Sequence, residues 1–133
     1  MSIKNLSYAN ARPADPAYRA PRYAVHWKIG ILYEKDGKRE IFHGRTFEVS
    51  ASGSSFLSQH NIFKDGNVKV LLALPWYRDN QQEKVIEIEA RIIHTILSSE
   101  NQSFRTGLQF ISFKDDKGHF LEIALRDQPK VNR

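Results

Sequence analysis

Arg45-Thr46-Phe47-Glu48-Val49-Ser50-Ala51-Ser52-Gly53-Ser54-Ser55-Phe56-Leu57 is the stretch that decides how this chain is read. A strand-like run ends at Val49, gives way to Ser50-Ala51-Ser52-Gly53, and is followed by a second short apolar run. A Ser-x-x-Gly turn offers a hydroxyl, backbone N–H groups and a position without Cβ where another group can come close. Upstream, Arg19-Ala20-Pro21-Arg22-Tyr23 sets two arginines at the entrance to the first long strand. Arginine suits a bidentate grip on phosphate or on a guanine edge. Arginines before a first strand and a polar turn after a second point to a nucleotide or phosphate site on a small β-barrel.

Working outward, Tyr23, Val25, Trp27, Ile29, Ile31 and Tyr33 alternate with Ala24, His26, Lys28 and Glu34. Period two over this length predicts a strand with one buried face. Asp36-Gly37 then predicts a tight hairpin turn, with the return strand running from about Arg39 to Val49. Gly44 inside it suggests a bulge or a close approach of another backbone. A third strand is expected over Ser54 to Ser58, and a fourth from Val68 to Leu74, stopped by Pro75. In the fifth, Ile86, Ile88, Ala90, Ile92 and Ile96 share a face opposite Glu87, Glu89 and Arg91; the sixth begins at Phe104 with Thr106, Leu108 and Phe110. Phe120, Leu121, Ile123, Ala124 and Leu125 predict a short helix packed on the barrel or over one end of it. The expected fold is all-β: a six-stranded antiparallel β-barrel with a short C-terminal helix. Trp27, Ile29, Phe56, Leu72, Ile88, Ile92 and Leu108 are its expected core. Residues 1–18, with Pro13 and Pro16 and no periodicity, read as a flexible arm. Residues 19–126 read as the domain, and 127–133 as a polar tail.

Length and composition set the limits. At 133 residues, with 41% hydrophobic and 26% charged residues, the chain suits one globular domain with a sizeable core. It has no cysteine, which removes disulfides, thiolate metal sites and thiol chemistry and fits a cytoplasmic location. No secretory h-region and no apolar run long enough to span a bilayer are visible, so membrane insertion is not expected. The net charge of +5 is spread along the chain rather than gathered in a basic stripe, so DNA is not an expected partner. An oligonucleotide-binding barrel needs exposed aromatic residues beside basic ones, and Trp27 lies on the face predicted to be buried.

Catalytic signatures are missing. His26, His43, His60, His94 and His119 form no HxH, HxxxH or HExxH spacing, so no metal is expected. Ser50 is not in a G-x-S-x-G elbow, and there is no phosphate-cradling P-loop. Glu87 and Glu89 fit a solvated strand face. A non-enzymatic binding module without a cofactor is the expectation.

The same residues resemble the PilZ domain, a bacterial receptor module for cyclic di-GMP. That family carries R-x-x-x-R before the first strand and [D/N]-x-S-x-x-G after the second. Here the second element stands as Glu48-Val49-Ser50-Ala51-Ser52-Gly53. Val68-Lys69-Val70-Leu71-Leu72-Ala73-Leu74-Pro75 looks like the family's strand ending in proline, and Arg105-Thr106-Gly107-Leu108-Gln109-Phe110 looks like its x-x-G-l-q-F strand. The resemblance covers about residues 18 to 125, with two departures. With Arg22 as second arginine of the first element, Tyr18 takes the first place and Arg19 is its neighbour; the other register puts Arg22 first and His26 second. The acidic position holds Glu48, one methylene longer than aspartate.

The resemblance implies a PilZ-like barrel that binds cyclic di-GMP through Tyr18, Arg19, Arg22, Glu48, Ser50 and Gly53. It also implies a protein partner that receives the signal in bacterial second-messenger signalling. The alternative it leaves open is a degenerate PilZ domain that has lost the nucleotide and works as a protein–protein adaptor.

Overall fold

The structure is a computed structural model that describes residues 20–59, 61, 66–77, 82–98, 102–126, 128 and 131. The expected flexible arm over 1–18 lies outside the described residues. Seven strands form one sheet: β1 (Arg22–Tyr23), β2 (Lys28–Lys35), β3 (Lys38–Ser50), β4 (Gly53–Ser58), β5 (Asn67–Pro75), β6 (Glu83–Ser98) and β7 (Ser103–Phe113). Their order is β1-β3-β2-β5-β6-β7-β4, and a further β3–β4 pairing closes six of them into a ring. Every pairing is antiparallel. Closure removes the free edges that an open sheet presents, leaving β1 as the extra strand outside β3.

Local chemistry sets the corners. Asp36 and Gly37, both with positive φ, make the two-residue turn between Lys35 and Lys38, as the sequence predicts. The first predicted strand is interrupted. Tyr23 pairs with Val49 in β1, but β2 begins only at Lys28. Between them the Thr46 hydroxyl enters the backbone ladder: it accepts from the Trp27 N–H at 2.9 Å and donates to the Val25 carbonyl. The segment stays extended, so Val25 and Trp27 still turn inward while Ala24 and His26 face out.

The inward residues make one core. All seven expected core side chains are buried, together with Ile31, Val49, Val70, Leu74 and Ile86. The helix α1 (Gly118–Leu125) adds Leu121 and Leu125 to that core, and its Phe120 meets Trp76 edge-on at 5.2 Å between ring centroids. The space above Gly44 is filled by the ring of Phe42, where a Cβ would lie 2.6 Å from the Phe42 Cζ. A neighbouring side chain, and not another backbone, therefore accounts for that glycine.

Of the three register shifts among the described strands, two lie beside the Ser50–Gly53 turn and β7 and change which residues face out there. On β3, Thr46 pairs with Phe56 and Glu48 with Ser55, so Phe47 is the additional residue. On β6, Ile92 pairs with Leu108 and His94 with Gly107, so Ile93 is additional. The second bulge corrects the expectation for Ile96. Its parity matches Ile92, but the phase flips at Ile93 and leaves Ile96 58% exposed.

The tail returns to the barrel. The Val131 N–H donates to the Arg22 carbonyl at 2.7 Å, so β1 is held by β3 on one side and by Val131 on the other. Among the described residues, no helix is long and apolar enough to cross a membrane.

Candidate functional site

The β3–β4 turn is built by one hydroxyl. Ser50 Oγ accepts from the backbone N–H of Ser52 and of Gly53, each at 3.1 Å. It also lies 3.3 Å from Ser52 Oγ and from the Gly53 carbonyl. A serine that gathers two N–H groups in this way fixes a tight turn where the ladder ends. The next turn residue, Gly53, stands against β7. A Cβ there would collide with the Leu108 carbonyl oxygen, so only glycine lets the two strands meet at this point. The Ser54 hydroxyl donates to the Glu48 carbonyl at 2.8 Å and ties the start of β4 back to β3.

Register then assembles a floor and walls. Glu48 lies opposite Ser55, Ser55 opposite Gly107, and Gly107 opposite His94, a single row across β3, β4, β7 and β6. The row's centre is small, and its flanks are large. The His94 ring lies over Gly107, where a Cβ would come within 2.5 Å of the imidazole Cε1 and Nε2. The result is a cavity of about 420 Å³ lined by this row, the Ser50–Gly53 turn, Arg22, Ile93, Arg105 and Gln109. That volume is within the range of small-ligand sites, roughly 300–1,000 Å³.

The charge in the cavity is concentrated on one carboxylate and two guanidinium groups. Glu48 is only 6% exposed, and its Oε1 lies 3.8 Å from Arg22 Nη1 and 3.9 Å from Arg105 Nη2. Both distances exceed hydrogen-bonding range, so the arginines are attracted to Glu48 without being bonded to that oxygen. The Arg105 guanidinium also stands over the Phe47 ring, 4.6 Å from its centroid. The bulge at Phe47 is what allows consecutive residues of β3 to meet the same arginine. The cavity thus holds an excess of positive charge above a floor of small polar residues. Ser55 Oγ in that floor is buried and has no hydrogen-bond partner among the described residues.

Of the residues expected at a site, Arg22, Glu48, Ser50 and Gly53 are brought together around this cavity. Tyr18 and Arg19 lie outside the described residues. Arg105, His94, Ser55 and Gln109 were not anticipated as site residues. The signal available for them was the period-two placement of Arg105, Gly107 and Gln109 opposite the apolar face of Leu108 and Phe110. That face becomes a site only once β7 is known to pair with β4. Arg45 is directed elsewhere: it is exposed, donates to the His26 carbonyl at 3.2 Å and lines a separate cavity with Lys28 and Glu83.

No protein-family model and no curated protein matches the sequence. Solved structures do match the fold. The Bacillus subtilis inhibitor of motility MotI/DgrA superposes with a TM-score of 0.65 at 15% identity, over 84% of this chain and 51% of that one. The K. pneumonia MrkH–c-di-GMP complex gives 0.57 at 22% identity, over 85% of this chain and 52% of that one. The chain therefore spans about half the length of each. At these identities what the chain shares with both is the fold, built here on the closed six-stranded antiparallel β-barrel.

Proposed function

We propose that the domain is a non-enzymatic receptor for cyclic di-GMP. The observation that carries this reading is the convergence of Arg22, Glu48 and the Ser50–Gly53 turn on one positively charged cavity of about 420 Å³. Arg22 donates to phosphate oxygens or to guanine O6 and N7, and Glu48 accepts from guanine N1–H and N2–H. Ser50 and Gly53 serve the site by holding the turn and its close contact with β7, which fixes the shape of that cavity wall. Tyr18 and Arg19, which precede β1 in sequence, add their side chains to the ligand contacts. The fold shared with MrkH, whose complex contains c-di-GMP, supports the same ligand here. On this reading the domain is bacterial and cytoplasmic, and it passes the signal to a protein partner.

Calorimetry on the purified chain with cyclic di-GMP, GTP and cyclic GMP tests the proposal. Binding of cyclic di-GMP well above the other two is the expected result. A flat titration up to about millimolar ligand, with a folded spectrum, rejects it.

A second reading has its own support. Glu48 already neutralises much of the charge of Arg22 and Arg105, and Tyr18 brings no cation to the arginine element. Both features suit a domain that keeps the barrel, has lost the nucleotide and acts as an adaptor, and MotI/DgrA is an inhibitor of motility. The flat titration just described is its expected result.

A further inference from the structure

We infer that Arg105 supplies the second cationic grip of the site, in the role that Tyr18 leaves unfilled in the arginine element, and that it takes an anionic phosphate oxygen of the ligand. The inference rests on the receptor reading and extends it to a residue outside both sequence elements.

Four observations carry it. Arg105 lines the same cavity as Arg22 but belongs to β7, whereas Arg22 belongs to β1. The two guanidinium groups approach the same carboxylate oxygen at nearly equal distances, 3.8 and 3.9 Å, so both are within reach of one shared anionic oxygen. The Arg105 side chain is held in place, because its guanidinium stands over the Phe47 ring while remaining 37% exposed. A guanidinium held on an aromatic face loses less conformational freedom when it binds an anion than a freely moving one. Finally, Ser55 Oγ in the cavity floor is buried and has no hydrogen-bond partner among the described residues, an unmet polar group of the kind a ligand satisfies.

Together these describe an exchange of partners. In the free protein the Glu48 carboxylate offsets the charge of both arginines across gaps too long for hydrogen bonds. When guanine N–H groups engage Glu48, a phosphate oxygen of the same ligand becomes a second anion within reach of both Arg22 and Arg105. The guanidinium groups then form the short charge-assisted bonds that they lack toward Glu48 Oε1. No covalent step is involved, and the pairing needs no arginine at Tyr18.

The test is calorimetry with cyclic di-GMP on the wild type, Arg105→Gln, Arg105→Lys and a charge control, Arg39→Gln. Arg39 lies at the far end of the β2–β3 hairpin, opposite Glu34. Loss of a charge-assisted contact predicts that Arg105→Gln weakens binding by about 10- to 100-fold. Arg105→Lys keeps the charge and recovers part of the loss, and Arg39→Gln stays within about twofold, the size expected of a screened distant charge. Should Arg105→Gln fail to fold, the Arg105 side-chain Nε–H resonance of the wild type gives the answer, since it must shift on titration. If wild type binds while Arg105→Gln matches Arg39→Gln, or while that resonance stays in place, the inference is overturned and the receptor reading stands. If wild type does not bind, both fall.

Discussion

Arg22 stands directly opposite Ser50 across the β1–β3 pair. The arginine that precedes the barrel and the serine that closes the β3–β4 turn are thus cross-strand neighbours, although a complete hairpin separates them in sequence. Because Ser50 also collects the N–H groups of Ser52 and Gly53, the position of Arg22 and the shape of the turn are mechanically linked.

Removing Arg22 tests the ligand contact itself. Arg22→Ala should weaken cyclic di-GMP binding by about 2 kcal/mol, as for other charge-assisted contacts, and binding to the wild type should fall as salt is added. Arg45→Ala should leave binding unchanged, since Arg45 faces another cavity. Calorimetry at low and high ionic strength measures both. If Arg45→Ala abolished binding and Arg22→Ala did not, the site would be misplaced.

Replacing Ser50 tests the turn. Ser50→Ala removes the acceptor of two backbone N–H groups in a part-buried turn. Unfolding in urea should show a loss of about 1–2 kcal/mol, the usual cost of leaving such donors unpaired. Unchanged stability would mean that water replaces the hydroxyl.

Two glycines at the site should behave differently. At Gly53 an added Cβ meets the backbone of Leu108, which cannot move without parting β4 from β7. Gly53→Ala should therefore cost about 3 kcal/mol, at the upper end of overpacking effects. At Gly107 the Cβ meets the exposed side chain of His94, which can swing away. Gly107→Ala should cost about 1 kcal/mol, as for a clash that one rotamer change relieves. Chemical denaturation of the two variants, compared side by side, decides this, and equal losses would contradict it.

Leu72 is fully buried and pairs with Ile29 on one side and Ile86 on the other. Leu72→Ala should cost about 2–5 kcal/mol through lost transfer energy and the cavity left behind. A smaller change in the denaturation midpoint would mean that the barrel collapses around the gap.

An NMR titration with cyclic di-GMP should move the amides of Tyr18, Arg19, Ala20 and Arg22 and of Ser50 to Ser54 most. Gly107 and Gln109 should follow, because they line the same cavity. Shifts confined to the β2–β3 hairpin would place the ligand elsewhere.

The barrel is legible in the sequence because its cause is local. Alternation at Val25, Trp27, Ile29 and Ile31, the Asp36-Gly37 turn and the stop at Pro75 each follow from the period of the pleat or the conformation of a turn. The turn residues Ser50 and Gly53, and Arg22 before the barrel, are legible for the same reason: each works within a few positions of its neighbours or at a strand entrance. Glu48 could be marked as a site position, but not its place between two arginines. That place, and the membership of Arg105, His94 and Ser55 in the cavity, were decided by tertiary structure. They depend on β4 pairing with both β3 and β7 and on single-residue bulges at Phe47 and Ile93, and a shift of one residue sends a side chain to the opposite face. The sequence specifies which segments are strands, while cross-strand register between distant segments determines which of their outward side chains share a site.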